Sequence, residues 1–239
     1  MDAIKLIFDR LDDWRHLPSY QLERRADIFF AIYLRDFLQD HLKVSLRPQL
    51  VPEFPLHLKT LGFGSANNQS VKVDYVAVSE DLTRVFLIEL KTDMASFRDK
   101  QFDYLKLARD KGIHKLLDGI LQICRATQSR AKYVHLLRLL DAIGMIALPT
   151  NQLDVLPSKG KVDHIDFDKL PKDIVRIPEC KPEILYLQPY LRSCDNSENT
   201  IGFDKFADWL LKFGDPFSVR FRHSLQTWHD DAKRNSTVK

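Results

Sequence analysis

Two short runs, Val71–Val78 and Arg84–Lys91, are rich in β-branched and apolar residues and are joined by the polar Ser79-Glu80-Asp81. That pattern predicts a β-hairpin. In the second run, Val85-Phe86-Leu87-Ile88-Glu89-Leu90-Lys91, both alternating sets of residues begin apolar. Alternate residues face opposite sides of a sheet, so this strand needs cover on both faces and belongs at the centre of a sheet with helices on each side. An α/β class follows.

The apolar pattern breaks at the strand's end. Glu89 and Lys91 share one face, ~7 Å apart along the strand, on the side begun by Val85 and Leu87. A carboxylate and an ammonium in such a place need partners, because an unpaired buried charge costs several kcal/mol or shifts its pKa. If Val78 pairs with Val85 across the turn, Asp74 lies opposite Glu89. Two carboxylates ~5 Å apart repel by roughly 3 kcal/mol at an effective dielectric of ~20, so a positive charge is expected between them. Mg²⁺ takes one or two carboxylates, keeps several waters and fills its shell with substrate phosphate. Lys91 is placed to hold the attacking water and to offset charge on the phosphorane oxygens. A plain Glu89–Lys91 salt bridge, with Asp74 as a solvated edge residue, is the structural alternative.

Helical periodicity surrounds the hairpin. Residues 2–15 and 20–42 read as amphipathic helices, the second with Leu22, Ala26, Phe29, Phe30, Tyr33 and Phe37 on one arc. Glu23 falls inside that arc and Asp27 at its margin, which makes Glu23 a candidate site acid or a satisfied structural group. Prolines in Val44–Leu58 predict an irregular or edge strand. The glycine-rich Leu61–Ser70 lacks a following Gly-Lys-Ser/Thr, which excludes a P-loop. Helices are expected at about 96–110, 113–128 and 130–142, then a Pro-rich excursion at 149–183, a strand at Glu183–Gln188, and helices at about 203–213 and 216–232. Asp215 is placed as an N-cap before Pro216. Gln101 lies in the arc of Phe97, Tyr104, Leu105 and Ala108, where it would point toward the sheet.

Composition limits the function classes. The chain has 239 residues, 44% hydrophobic and 29% charged, which suits a globular protein with one sizeable core. A net charge of +3 is compatible with a polyanionic partner without requiring one. Cys124, Cys180 and Cys194 cannot all pair with one another and form no CxxC, which favours a reducing, cytoplasmic compartment. Met1–Arg15 lacks the apolar segment of a secretory signal, and no stretch reaches the ~20 apolar residues that span a bilayer. No His-x-x-x-His pair and no Gly-x-Ser-x-Gly turn occur, which speaks against zinc and serine-hydrolase chemistry. The run Asp163-His164-Ile165-Asp166-Phe167-Asp168 lacks a recurrent ligand spacing and reads as a surface turn. Arg98, Lys100, Lys106, Arg109 and Lys111 crowd the region after Lys91, which fits a phosphate-tracking groove, but Asp99, Asp103 and Asp110 interrupt them, as on a solvated helix face, the commoner arrangement.

Val73-Asp74, a hairpin and then Glu89-Leu90-Lys91 resembles the PD-(D/E)XK nuclease superfamily. The resemblance implies a restriction-endonuclease-like αβββαβ core, a mixed central sheet flanked by helices, over about residues 20–190 of a single domain. Residues 149–183 would be a Pro-rich insertion and 200–235 extra C-terminal helices. It further implies that Asp74, Glu89 and the Leu90 carbonyl hold Mg²⁺, or Mn²⁺ in its place, that Lys91 serves the water, and that Glu23 is the acid contributed by the first core helix. Apart from the resemblance, Arg98 and Lys100 of the basic run and Gln101 of the helical arc are candidate substrate contacts, with a solvated face and a backbone-bonded buried amide as the respective alternatives. The expected activity is hydrolysis of DNA phosphodiester bonds, with a catalytically silent nucleic-acid- or protein-binding module of the same fold as the alternative; a homodimer is compatible with either. Val73 stands where the family's proline would be. Gln101 and Tyr104 are one residue closer than the Gln-x-x-x-Tyr of the RecB-related branch, so no branch is assigned.

Overall fold

The computed structural model describes residues 2–17, 20–64, 66, 68–93, 99–149, 167, 170, 173–191 and 199–237. In chain order the elements are α1 (Ala3–Trp14), α2 (Leu22–Leu42), β1 (Val51–His57), β2 (Ser70–Val78), β3 (Val85–Leu90), α3 (Asp99–Lys111), α4 (Ile113–Ala126), α5 (Arg130–Ala142), β4 (Glu183–Gln188), β5 (Thr200–Gly202), α6 (Phe203–Leu210) and α7 (Pro216–Thr237). The fold is α/β. Its five strands form one open sheet in the order β1-β2-β3-β4-β5. β1 and β2 run antiparallel and β4 and β5 parallel, so the sheet is mixed. Among the described residues no helix is long and apolar enough to cross a membrane.

The chain divides into two compact units, with the divide falling inside β3 and β4. The first comprises Met1–Val44, Ile88–Asp99 and Leu185–Lys239. Its core is aromatic: Phe8 of α1, Phe30 and Phe37 of α2, Phe203 and Phe206 of α6, and Phe221 and Trp228 of α7 are all buried. Phe37 stacks on Phe206 with centroids 4.4 Å apart, and Phe30 meets Phe221 edge-on at 5.1 Å. Such pairs add about 0.5–1.5 kcal/mol beyond the area they bury. The apolar arc expected on α2 is the arc that packs. Polar bonds fix α7: Asp215 Oδ1 accepts from the Phe217 and Ser218 N–H groups at 2.9 and 3.0 Å, as expected of an N-cap.

The second unit comprises Ser45–Leu87 and Lys100–Ile184. β1 carries Pro52 and Pro55 and lies at the sheet edge, where a missing N–H breaks no second ladder. Its register with β2 runs from Val51↔Val76 to His57↔Ser70. α4 packs on β1 at Gly119, where an added Cβ would come within 2.9 Å of both His57 Cβ and Thr60 Oγ1, so only glycine permits this approach. The apolar stretch near 133–148 is a core segment, with Val134, Leu137, Leu140, Ile143, Met145 and Ile146 buried. Cys124 is buried too, and burial pushes its thiol up to about 12, which leaves it unreactive.

Several expectations shift in detail. α6 stops at Leu210 and α7 runs on to Thr237. β5 was not anticipated, since Thr200-Ile201-Gly202 is too short to show a period of its own. Most of 149–183, Arg98, Cys194 and all of the Asp163–Asp168 run except Phe167 lie outside the described residues.

Candidate functional site

The β2–β3 turn is built by its polar residues. Ser79 Oγ donates to Asp81 Oδ1 at 2.6 Å, and Asp81 Oδ1 accepts from the Thr83 N–H at 3.0 Å. These bonds, with the Ser79 hydroxyl foremost, hold the Asp81 carboxyl below the usual aspartate range. Ser79 N–H donates to Arg84 O at 2.9 Å, so the turn closes in the frame that sets Val78 beside Val85. Leu82 takes a left-handed conformation, φ 62°, without being glycine. That costs about 1–2 kcal/mol, which the turn's side-chain bonds offset.

In the first unit β3 ends at Leu90 with every residue buried. Lys91 follows and is fixed by its N–H, which donates to Leu187 O of β4 at 2.8 Å. The Lys91 ammonium lies 2.5 Å from Glu89 Oε1 and 3.9 Å from Glu23 Oε2. Glu89 and Lys91 are nearly inaccessible, with side chains 1% and 5% exposed, whereas that of Glu23 is 31% exposed. Glu23 occupies the first turn of α2, where the helix dipole favours a negative charge. Three of the sequence-derived site residues are therefore brought together: Glu23, Glu89 and Lys91. Asp74 is half-buried within β2 and belongs to the second unit. Lys100 and Gln101 lie in α3, their side chains outside the described residues, and Arg98 lies outside them altogether.

Two buried polar residues next to this cluster drew no attention in sequence. Thr92 follows Lys91 and is 5% exposed, and Gln188, which ends β4, is 1% exposed with its Nε2 donating to Tyr190 O at 2.7 Å. The available signal was an amide closing the apolar run Ile184-Leu185-Tyr186-Leu187. The basic residues of the following helices fit a solvated face: Lys106 and Lys111 are exposed, Arg109 pairs with Asp110 at 3.1 Å, and Lys115 with Asp118 at 3.8 Å.

Among the described residues no three or more His, Cys, Asp or Glu side chains are grouped so as to hold a metal ion. The donors near Lys91 are carboxylates, a hard oxygen set that suits Mg²⁺ or Mn²⁺ better than zinc. Mg²⁺ requires only one or two of them when water and phosphate complete its shell. Comparison with protein-family models, with curated proteins and with solved structures gave no match to the chain. The fold and site therefore define an α/β protein with a buried acid–lysine cluster at the end of a central strand.

Proposed function

We propose that this chain is a metal-dependent nuclease, a restriction-endonuclease-like protein that hydrolyses DNA phosphodiester bonds with water as the nucleophile. The observation that carries the reading is the Glu89–Lys91 pair, 2.5 Å apart at the end of a fully buried strand, with Glu23 approaching from α2. Element order from α2 to β4, helix, three strands, helices, strand, agrees with an αβββαβ core. The closure of the turn between Ser79 N–H and Arg84 O is in the frame that the reading assumes for the start of the hairpin. On this reading Asp74, Glu89 and the Leu90 carbonyl hold Mg²⁺ or Mn²⁺. When bound, the cation supplies Lewis-acid activation of water and phosphate. Lys91 orients the water and offsets charge developing on the phosphoryl oxygens.

A second reading draws on the same burial. Glu89 and Lys91 form an internal ion pair with 1% and 5% exposure, which is compatible with a catalytically silent binding module of this fold. Incubating the full chain with single-stranded, duplex, nicked and branched DNA in Mg²⁺ or Mn²⁺ separates the two. The nuclease cuts at least one substrate, and Glu89→Ala and Lys91→Ala each lower the rate by about 10²-fold or more. DNA retained but uncut supports the silent module. Cleavage undiminished in both variants places the active centre elsewhere.

A further inference from the structure

We infer that Glu23 is the positioning residue of Lys91, the carboxylate that holds the ammonium in place when Glu89 gives its charge to a divalent cation. This rests on the nuclease reading above. Lys91 Nζ lies 2.5 Å from Glu89 Oε1 and 3.9 Å from Glu23 Oε2, between acids carried by two different elements. The backbone of Lys91 is pinned to Leu187 at 2.8 Å, so the side-chain stem is what turns. The shift needed to pass from one acid to the other is therefore small.

The electrostatics make the second acid necessary. An ammonium in contact with Glu89 sits beside the place a metal ligated by Glu89 would take, and like charges at that range repel strongly in a buried setting. Glu89 cannot serve both cations fully. Without another anion, Lys91 would be driven from the position where it can reach a water or a phosphoryl oxygen. Glu23 is suited to retain it: it lies in the first turn of α2, where the helix N-terminus favours its ionised form, and it reaches solvent, so its charge is less costly to maintain than that of Glu89. Glu23 thus acts through Lys91 and is not itself a metal ligand.

The test titrates Mn²⁺ into the full-length parent, Glu23→Gln and Glu89→Gln, following free Mn²⁺ by electron paramagnetic resonance, and measures cleavage kinetics on whichever DNA the parent cuts. Glu23→Gln is expected to bind Mn²⁺ with the parent's stoichiometry and affinity, whereas Glu89→Gln loses about tenfold or more. In cleavage, Glu23→Gln lowers kcat by about 10–100-fold with KM unchanged, and Glu23→Asp recovers part of it. Circular-dichroism melting of each variant confirms that the folded protein is compared. If Glu23→Gln weakens Mn²⁺ binding as much as Glu89→Gln does, Glu23 is a ligand and the inference is overturned. An unchanged kcat in Glu23→Gln also overturns it. A parent that binds no Mn²⁺ removes the nuclease reading itself, a result distinct from both.

Discussion

Asp12 of α1 and Glu89 of β3 each anchor a cluster of acid and base in the first unit, and they are anchored differently. Asp12 accepts from the Trp228 indole at 2.8 Å through Oδ1, and from Arg220 Nη2 at 2.7 Å and the Ser224 hydroxyl at 3.1 Å through Oδ2. Arg220 also meets Asp9 at 2.9 Å, and Lys5 meets Asp9 at 2.6 Å. The Trp228 indole, the Ser224 hydroxyl and the Arg220 guanidinium, all carried by α7, hold both Asp12 oxygens, and two acids face two bases. Around Glu89, by contrast, two acids share one ammonium on a flexible stem. The first arrangement is a joint that locks α1 to α7; the second can be redistributed. Both oxygens of Asp12 are held by donors of one helix, whereas the Lys91 ammonium lies between acids of two elements, where an added cation would change the balance.

The largest effect expected from breaking this contrast is at Lys91. Lys91→Met removes the ammonium while leaving Glu89 buried, and should destabilise the metal-free protein by about 3–5 kcal/mol in urea denaturation. Glu89→Gln/Lys91→Met should recover much of that loss, because the charge itself is gone. Equal loss in the single and double variants would mean that packing of the lysine stem, not charge, accounts for it.

Next is Asp12. Asp12→Ala deprives the Trp228 indole, the Ser224 hydroxyl and one branch of Arg220 of their acceptor, and should cost about 1–3 kcal/mol. Mn²⁺ binding per folded molecule should not change. If Asp12→Ala weakens Mn²⁺ binding as strongly as Glu89→Gln, the two clusters are not separate devices.

The contrast also explains what was readable in the chain. Glu89 and Lys91 stood out because they interrupt an apolar strand pattern, and their shared face follows from a period of two. Glu23 was visible as an acid on an apolar helical arc. The turn was visible in the polarity of Ser79-Glu80-Asp81, whereas its frame had to be assumed, because polarity marks a turn without fixing the register. The Asp12 cluster was not legible, because its partners, Arg220, Ser224 and Trp228, lie more than two hundred residues away and meet it only through tertiary packing. β5 escaped for a related reason: Ile201 and its neighbours become a strand through pairing with Tyr186–Gln188, not through local propensity.

The smallest expected effect sharpens the contrast from the structural side. Asp215 caps α7, the helix that carries Arg220, Ser224 and Trp228. The backbone N–H of Ser218 is the chief cause that lowers its carboxyl below the ordinary aspartate value, followed by the Ser218 side chain. A carboxylate with a depressed folded pKa contributes stability above the unfolded value and loses it as pH falls through the folded one. The cap's contribution should therefore be present above about pH 4 and vanish progressively below it. Asp215→Ala should lower the melting temperature modestly at neutral pH, with the difference from the parent shrinking as the solution is acidified. Asp215→Asn, which keeps an acceptor without the charge, should restore most of the neutral-pH loss and flatten that pH dependence. A difference that persists unchanged at low pH would show that the ionised cap is not what holds the start of α7.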